Sequence, residues 1–271
     1  MPWQGMSPVG NVWYGYTVCD HEFDQGVDVK KQHSMKHKKY LLLMMGGSGT
    51  RFGAPVPKQF VEVEGKPTFS YLVEKYAKLR FADKVIVVCH ADWVGFTDEW
   101  ISNLELQDFD YAVVAGGSSR SESVKNGLIE AAKTAEDDDL VFIHDTTHPY
   151  VDENHLGELA TAVEVHGGAT MGACQYDTVY GMDPDTNMLE KVIPRQTVVS
   201  GASPEAFKFG LIWPLYSTMT PDELDKFTSA GALALAHDIP MQIIPTDLIN
   251  LKITYRNDMD AFIKLFHNYY F

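Results

Sequence analysis

Apolar residues recur along residues 40–166 at two alternating spacings. Short apolar runs predict buried strands, and longer segments with apolar residues three or four positions apart predict helices. The predicted strands are Tyr40–Met45, Lys84–Cys89, Tyr111–Ala115 and Leu140–His144. The predicted helices are Thr68–Leu79, Trp93–Leu104, Ser121–Ala132 and Asn154–His166. This alternation predicts an α/β fold, with a Rossmann-like, mostly parallel sheet and helices on both faces.

A different pattern follows at about residues 174–200. Two segments, Gln175–Met182 and Met188–Val199, flank a strong turn signal at 183–187. We interpret this region as a β-hairpin arm that projects from the domain. Because an isolated hairpin is only marginally stable in water, we expect the arm to pack against a second subunit and form a homodimer.

The two ends of the chain differ from its middle. Residues 1–38 show neither strand nor helix periodicity, so we interpret them as an N-terminal extension of one domain that covers residues 39–271. Near the other end, the pattern predicts helices at Asp222–His237 and Asp258–Tyr270. It also predicts short strands at Met241–Pro245 and Leu248–Thr254.

The composition narrows the class of protein. A chain of 271 residues, 45% of them hydrophobic, can bury a sizeable core. The net charge of −15 argues against a nucleic-acid partner, which would need a basic surface. The three cysteines are far apart and odd in number, so we expect no disulfide framework and a reducing, cytoplasmic compartment. Without a long apolar run or a signal-peptide core, we expect no membrane partner.

The most informative segment follows the first predicted strand. Gly46, Gly47 and Gly49 can expose backbone N–H groups to an anion, and Arg51 and Lys58 add two cations. This combination suits the phosphates of a nucleoside triphosphate. The segment matches neither a P-loop nor a dinucleotide-binding fingerprint, because positions that require Gly or Lys in those motifs hold other residues. The remaining pattern, G-G-x-G-x-R-x-G followed by P-K, is similar to the signature loop of nucleotidyltransferases.

A second glycine turn follows the third predicted strand. Gly116 and Gly117 let a flat ligand approach the backbone, and Ser121 or Ser123 can cap the next helix. A capped helix start without a ligand is the alternative.

Acidic and basic candidates follow two other strands. Asp145 can hold a Mg²⁺ already bound to phosphates, or substrate hydroxyls, or simply cap a turn. His144 and His148 lie four apart on a loop, which gives a zinc pair little support. Lys252 would share a strand face with Asn250 and could bind a phosphate, or be a solvated edge lysine. Since ligands bind beyond the carboxyl ends of parallel strands, we expect the two glycine turns and Asp145 to meet at one sheet edge.

These segments together resemble the CTP-dependent cytidylyltransferases, the family that makes CDP-methylerythritol for isoprenoids and CDP-ribitol for teichoic acids. The matching motifs are GGSGTR at 46–51, PKQ at 57–59, GG…R…SV…NG at 116–127, HD…P at 144–149 and NLKIT at 250–254. They run in order from about Tyr40 to Phe262. HADWV at 90–94 and NLK at 250–252 look more like the ribitol-5-phosphate branch, and Ile249 stands where the methylerythritol branch usually has Asp.

The resemblance implies a fold of the nucleotide-diphospho-sugar transferase type, CTP and a polyol phosphate as substrates, and Mg²⁺ as cofactor. It implies catalytic roles for Arg51 and Lys58 at the CTP phosphates and for Lys252 at the acceptor phosphate. The implied nucleotide-binding residues are Met45, Gly46, Gly47, Ser48, Gly49, Thr50, Gly116, Gly117, Arg120, Ser123, Asp145 and Thr146. The implied acceptor-binding residues are Asp145, His148, Arg195, Ser203, Thr228 and Lys252. Asp145 would also ligate the metal, and the hairpin arm of the dimer would contribute to the acceptor site.

The chain departs from the family pattern on the acceptor side. His148 stands where Arg is usual, Ser203-Pro204-Glu205 replaces Thr-Pro-Gln, and Ser229 replaces Asp. We therefore expect CTP use to be kept, with ribitol 5-phosphate or a related alditol phosphate as acceptor. Three alternatives stay open: methylerythritol 4-phosphate as acceptor, a sugar-1-phosphate nucleotidyltransferase that uses UTP or GTP, and a nucleotide-binding protein with a decayed acceptor site.

Overall fold

The structure is a computed structural model that describes residues 37–47, 52–53, 56–246 and 248–270. The N-terminal extension predicted at 1–38 lies outside the described residues except for its last two. The strands of the described residues are β1 (Lys39–Met45), β2 (Glu62–Val63), β3 (Lys66–Pro67), β4 (Lys84–Cys89), β5 (Tyr111–Ala115), β6 (Leu140–Asp145), β7 (Gly168–Cys174), β8 (Val179–Met182), β9 (Leu189–Ile193), β10 (Val199–Lys208) and β11 (Met241–Pro245).

Seven strands form the central sheet in the order β11-β7-β10-β6-β1-β4-β5. Neighbouring strands run parallel except at β10, which is antiparallel to both β6 and β7. The carboxyl ends of β1, β4, β5 and β6 therefore lie at one edge, where loops can build a site.

Helices cover both faces of this sheet. They are α1 (Thr68–Leu79), α2 (Val94–Ser102), α3 (Arg120–Ala131), α4 (Glu153–His166), α5 (Phe209–Thr218), α6 (Pro221–Leu224), α7 (Ala230–Ala236) and α8 (Arg256–Tyr270). Successive side chains of β1 point to opposite faces of the sheet, so its apolar residues contribute to a hydrophobic core on each face. Leu41 and Leu43 belong to the cluster that contains α1 and α4, and Leu42 and Met44 belong to the cluster that contains α3 and α5.

The predicted α/β fold with a mostly parallel sheet is confirmed, and four elements have the predicted bounds: α1, β4, β5 and β11. The predicted hairpin forms from β8 and β9, which pair antiparallel in a separate two-stranded sheet. Asp183 stabilises the turn between them, because its carboxylate accepts from the N–H of Asp185 at 2.8 Å and the hydroxyl of Thr186 at 2.8 Å.

Three element predictions are wrong. Residues 248–254 form no strand, because after β11 only isolated bonds hold this segment, such as the Ile253 N–H to the Thr147 carbonyl at 2.8 Å. The helix predicted at Asp222–His237 is two short helices, α6 and α7, because Ser229 caps a new helix start. The second arm strand ends at Ile193, and Val199 begins a strand of the central sheet.

Two further observations concern the cysteines and the length of the helices. Of the two described cysteines, Cys89 is buried and free, whereas Cys174 is disulfide-bonded, so the cysteines do not support the reducing compartment that was expected. Within the described ranges, no helix is long and apolar enough to cross a membrane.

Candidate active site

The two glycine turns pack against each other at the carboxyl edge of the sheet. A Cβ atom on Gly116 would lie 3.5 Å from the Cα of Gly46 and 2.8 Å from the Oγ of Ser123. That serine Oγ accepts from the N–H of Gly117 at 3.0 Å and donates to the carbonyl of Ser119 at 2.8 Å. Glycine is therefore needed at Gly116 for the close approach of the two loops, and the two hydrogen bonds of Ser123 fix the shape of the second loop.

The cap of α3 differs from the prediction. Ser119, one residue before the helix, accepts the N–H of Glu122 at 3.1 Å, so neither Ser121 nor Ser123 is the N-cap. Glu122 folds back and accepts the N–H of Ser118 at 2.6 Å. These bonds give the loop after β5 a defined shape.

Asp145 is the centre of a charged cluster at the end of β6. Its Oδ1 accepts from Arg120 Nη2 at 3.1 Å and Nε at 3.3 Å, and Lys252 Nζ lies 3.4 Å from its Oδ2. Its backbone N–H donates to the Oγ of Ser203 at 3.4 Å. Burial raises the pKa of Asp145, but Arg120 and Lys252 outweigh burial and hold that pKa below its usual value. The carboxylate is therefore ionised, and two cations face it.

A second carboxylate, Glu205 in β10, lies beside the same arginine. One of its oxygens accepts the N–H of Gly231 at 3.1 Å, at the start of α7. The other lies 3.9 Å from Arg120 Nη2 and has no hydrogen-bond partner among the described residues. Although burial lowers the pKa of Arg120, the charges of Asp145 and Glu205 outweigh burial and raise it. Sequence reasoning noticed Glu205 only as a departure from the family pattern and missed its position beside Arg120.

The two histidines of this loop have separate environments. His144 is fully buried; its Nε2 donates to the carbonyl of His148 at 2.8 Å, and its Nδ1 lies 2.7 Å from the hydroxyl of Tyr76. His148 is partly buried, and its N–H donates to the carbonyl of Asp145 at 2.8 Å. Burial is the main cause that lowers the pKa of each histidine to about 4. They do not form a zinc pair, because His144 already uses both ring nitrogens within the protein.

Lys58 approaches the cluster from the first loop. Its Nζ donates to the carbonyl of Ile253, the residue after Lys252. The short 3₁₀ turn Lys58–Phe60 is held in place by Phe60, whose ring stacks on Trp93 at 4.1 Å. Thr146 lies beside the same edge, where its hydroxyl donates to the carbonyl of Met44 at 3.1 Å.

Other predicted site residues are placed differently. Ser48, Gly49, Thr50 and Arg51 lie outside the described residues. Arg195 lies in the arm, and its Nη1 donates to the carbonyl of Tyr176 at 2.5 Å. Thr228 is exposed on the loop before α7. Within the described part of this single chain, neither Arg195 nor Thr228 has a hydrogen bond or ion pair with the Asp145 cluster, although Arg120, Ser203 and Lys252 do.

The donor set is compatible with a metal that arrives with a substrate. Among the described residues there is no group of three or more His, Cys, Asp or Glu that could hold an ion by itself. Asp145 offers one ionised carboxylate at the strand end. Mg²⁺ characteristically takes one or two protein carboxylates and completes its shell with phosphate oxygens and water. The residues therefore fit a nucleotide-borne Mg²⁺ and not a preformed cage.

A mostly parallel α/β sheet with two glycine turns and a cluster of charged side chains at its carboxyl edge is typical of a fold of the nucleotidyltransferase type. The comparisons with known proteins agree. The family model for 2-C-methyl-D-erythritol 4-phosphate cytidylyltransferase, IspD, matches residues 40–263. This chain therefore belongs to the IspD family, whose members are CTP-utilising nucleotidyltransferases.

Solved structures with the same fold carry related names. A 4-diphosphocytidyl-2C-methyl-D-erythritol synthase from Anaerococcus prevotii superimposes with a TM-score of 0.68 at 22% identity, over 85% of this chain and 99% of that one. A 2-C-methyl-D-erythritol 4-phosphate cytidylyltransferase from Francisella tularensis gives a TM-score of 0.66 at 22% identity, over 86% and 100%. At this identity the likeness shows the fold. Neither comparison supports the expected preference for the ribitol-5-phosphate branch.

Proposed function

We propose that this protein transfers the cytidylyl group of CTP to a polyol phosphate, with 2-C-methyl-D-erythritol 4-phosphate as the leading acceptor. One observation carries the proposal. The Asp145 carboxylate lies between Arg120 and Lys252 beside the packed glycine turns, in a chain that matches the IspD family over residues 40–263. The family match makes methylerythritol phosphate a better first candidate than the ribitol 5-phosphate expected from sequence motifs.

Ribitol 5-phosphate or a related alditol phosphate is the second candidate. The observation in its favour is the acceptor side of the site, where Ile249, His148 and Ser203 line the same cavity. Aspartate is usual at the position of Ile249 in the methylerythritol branch, and arginine is usual at the position of His148 in the family as a whole. An apolar and a neutral side chain there change the shape and charge offered to the polyol.

The reaction is a displacement at the α-phosphorus of CTP. A phosphate oxygen of the acceptor forms the new P–O bond, the bond between the α-phosphorus and the bridging oxygen breaks, and pyrophosphate leaves with that electron pair. A phosphate is already nucleophilic at neutral pH, so this step needs positioning and charge neutralisation more than a strong base. Lys252 would hold the acceptor phosphate, and Lys58 with Arg51 would hold the CTP phosphates. The turns at Gly46 and Gly116 would receive the cytosine.

A divalent metal is typical of the family. Mg²⁺, held by Asp145, would supply neutralisation of the triphosphate charge. Arg120 is tied to Asp145 and Glu205, and we assign it the role of keeping the Asp145 carboxylate ionised and oriented.

The arm supports a homodimer. Tyr180 and Val192 are paired across β8 and β9, and both are more than half exposed, as are Met182 and Leu189. An exposed apolar face of this kind on a two-stranded sheet favours burial against another copy. Arg195 on the same arm would then reach the partner's acceptor site, which explains why it does not join Asp145 in a single chain. We propose a cytoplasmic location because the reaction needs CTP, although a disulfide such as that of Cys174 is rare in a reducing compartment.

Pyrophosphate release is the direct test. Purified protein with CTP and Mg²⁺ should release pyrophosphate with methylerythritol 4-phosphate or ribitol 5-phosphate, and UTP or GTP should replace CTP poorly. Lys58→Ala should lower turnover by about 10²–10³-fold, as the loss of comparable charge-stabilising groups does. Lys264→Ala, an exposed lysine on α8, is the matched control. CTP binding without pyrophosphate release would favour a nucleotide-binding protein, and normal turnover in Lys58→Ala would refute the mechanism.

A further inference from the structure

A small cavity lies next to the Asp145 cluster and shares His148 and Ser203 with it. Tyr150, Asn250 and Leu251 also line it. Its volume is about 10 Å³, which is room for about one water-sized group. The cavity therefore suits a single small polar group and excludes a larger ring or chain.

Two polar atoms of the cavity-lining residues are buried without partners. They are the hydroxyl of Tyr150, whose side chain is 5% exposed, and the Oδ1 of Asn250. Neither atom has a hydrogen bond among the described residues. An unpaired buried polar atom is unfavourable, so two such atoms around one cavity indicate a group that completes both bonds.

Both side chains are held in place by the surrounding structure. The Tyr150 ring packs against Tyr269 at 4.5 Å and Phe262 at 6.2 Å, both on α8. Burial raises the pKa of Tyr150 to about 12, so its O–H keeps its proton and can donate. Asn250 Nδ2 donates to the carbonyl of Gly201 at 3.3 Å, which orients the amide and leaves Oδ1 as an acceptor.

One donor and one acceptor match the chemistry of a hydroxyl group. A hydroxyl accepts from one partner and donates to another, whereas a carboxylate or phosphate oxygen would face Asn250 Oδ1 with no proton to donate. Asn250 also lies two residues before Lys252, so the two positions are at most about 7 Å apart along the backbone. That separation suits a molecule that carries a hydroxyl a few bonds from its phosphate.

We propose that Tyr150 and Asn250 recognise one hydroxyl of the acceptor polyol while Lys252 binds its phosphate. This inference rests on the proposed function and names two specificity-determining residues for it. The polyol hydroxyl enters the cavity, accepts from the Tyr150 O–H and donates to Asn250 Oδ1.

Steady-state kinetics of Tyr150→Phe test the inference. This change removes only the hydroxyl, and we expect the KM for the acceptor to rise about tenfold, with the KM for CTP unchanged. The urea midpoint should not fall, because the lost hydroxyl makes no hydrogen bond with the described residues. Tyr255→Phe, an exposed tyrosine 56% accessible to solvent, is the matched control. Asn250→Ala should also raise the KM for the acceptor and leave the KM for CTP unchanged. It gives an independent test of the inference if Tyr150→Phe does not fold.

Acceptor analogues that each lack one hydroxyl locate the contact. With the analogue that lacks the recognised hydroxyl, Tyr150→Phe and wild type should have equal acceptor KM values. If both variants keep the wild-type acceptor KM, the cavity holds only structural water and the inference is overturned. The proposed function would still stand in that case, provided that wild type releases pyrophosphate. If wild type releases no pyrophosphate with any polyol phosphate, both the proposed function and this inference are refuted.

Discussion

Acid should destabilise the protein through His144, because the imidazole of this residue is buried and hydrogen-bonded in its neutral form. The side chain has no solvent exposure, and its Nε2 must donate, since the carbonyl of His148 can only accept. The neutral Nδ1 then accepts from the hydroxyl of Tyr76 at 2.7 Å. A second proton on this ring would be buried without solvent, and burial accordingly lowers the pKa from 6.5 to about 4.

The magnitude follows from the difference between folded and unfolded chains. The unfolded imidazole binds a proton below about pH 6.5, whereas the folded one of His144 does so only near pH 4. The unfolded state therefore binds more protons between pH 6.5 and 4. The contribution of His144 to the free energy of unfolding is fully present above pH 6.5 and is lost as the pH falls toward 4. At about 1.4 kcal/mol per pH unit, the total loss from this group is about 3 kcal/mol.

Urea unfolding between pH 4.5 and 8 measures this loss. His148 shifts in the same direction, so the comparison is between wild type and His144→Gln, which removes one titrating group. The variant should be less stable at pH 8 but lose less free energy of unfolding as the pH falls. His166→Gln, an exposed histidine at the end of α4, should retain the wild-type slope. Equal slopes for wild type and His144→Gln would refute the argument from burial.

Two other changes test the charges and the arm. Glu205→Gln keeps an oxygen for the Gly231 N–H but removes a negative charge 3.9 Å from Arg120, so the acceptor KM should fall severalfold at low salt and less at high salt. An unchanged KM would mean that Glu205 does not influence the phosphate site. Val192→Asp places a charge on the exposed apolar face of the arm beside Tyr180, and sedimentation should show dissociation to monomers. A monomeric wild type, or a variant that stays dimeric, would contradict the proposed interface.

Local patterns predicted much of the fold because they depend on near neighbours in sequence. The helical spacing of α1 and the apolar runs of β4 and β5 give the bounds that the structure has. By contrast, β7 and β10 contain many Gly, Ala and Ser residues, and nothing local marks them as central strands. They are strands because β10 inserts antiparallel between β6 and β7, a pairing between distant segments.

The candidate site divides in the same way. Glycine turns after strands and Asp145 at a strand end could be selected from residue type and position, whereas Lys252 was selected on a predicted strand that does not form. Sequence spacing lent a zinc pair of His144 and His148 little support, and burial and the bond to Tyr76 make His144 a structural residue. The Glu205–Arg120 approach and the unpaired hydroxyl of Tyr150 could not be predicted, because they join segments that are close only after the sheet forms.

The sequence by itself therefore determined the class of fold, the sheet edge that carries the candidate site and most of the charged groups there. Periodicity and strand-end position carry that information, and both are local. Only the tertiary structure decided which charges are paired, which polar atoms stay unpaired and which histidine is buried. Those outcomes depend on desolvation and on distances of 3–4 Å between residues far apart in the chain, which no local pattern encodes.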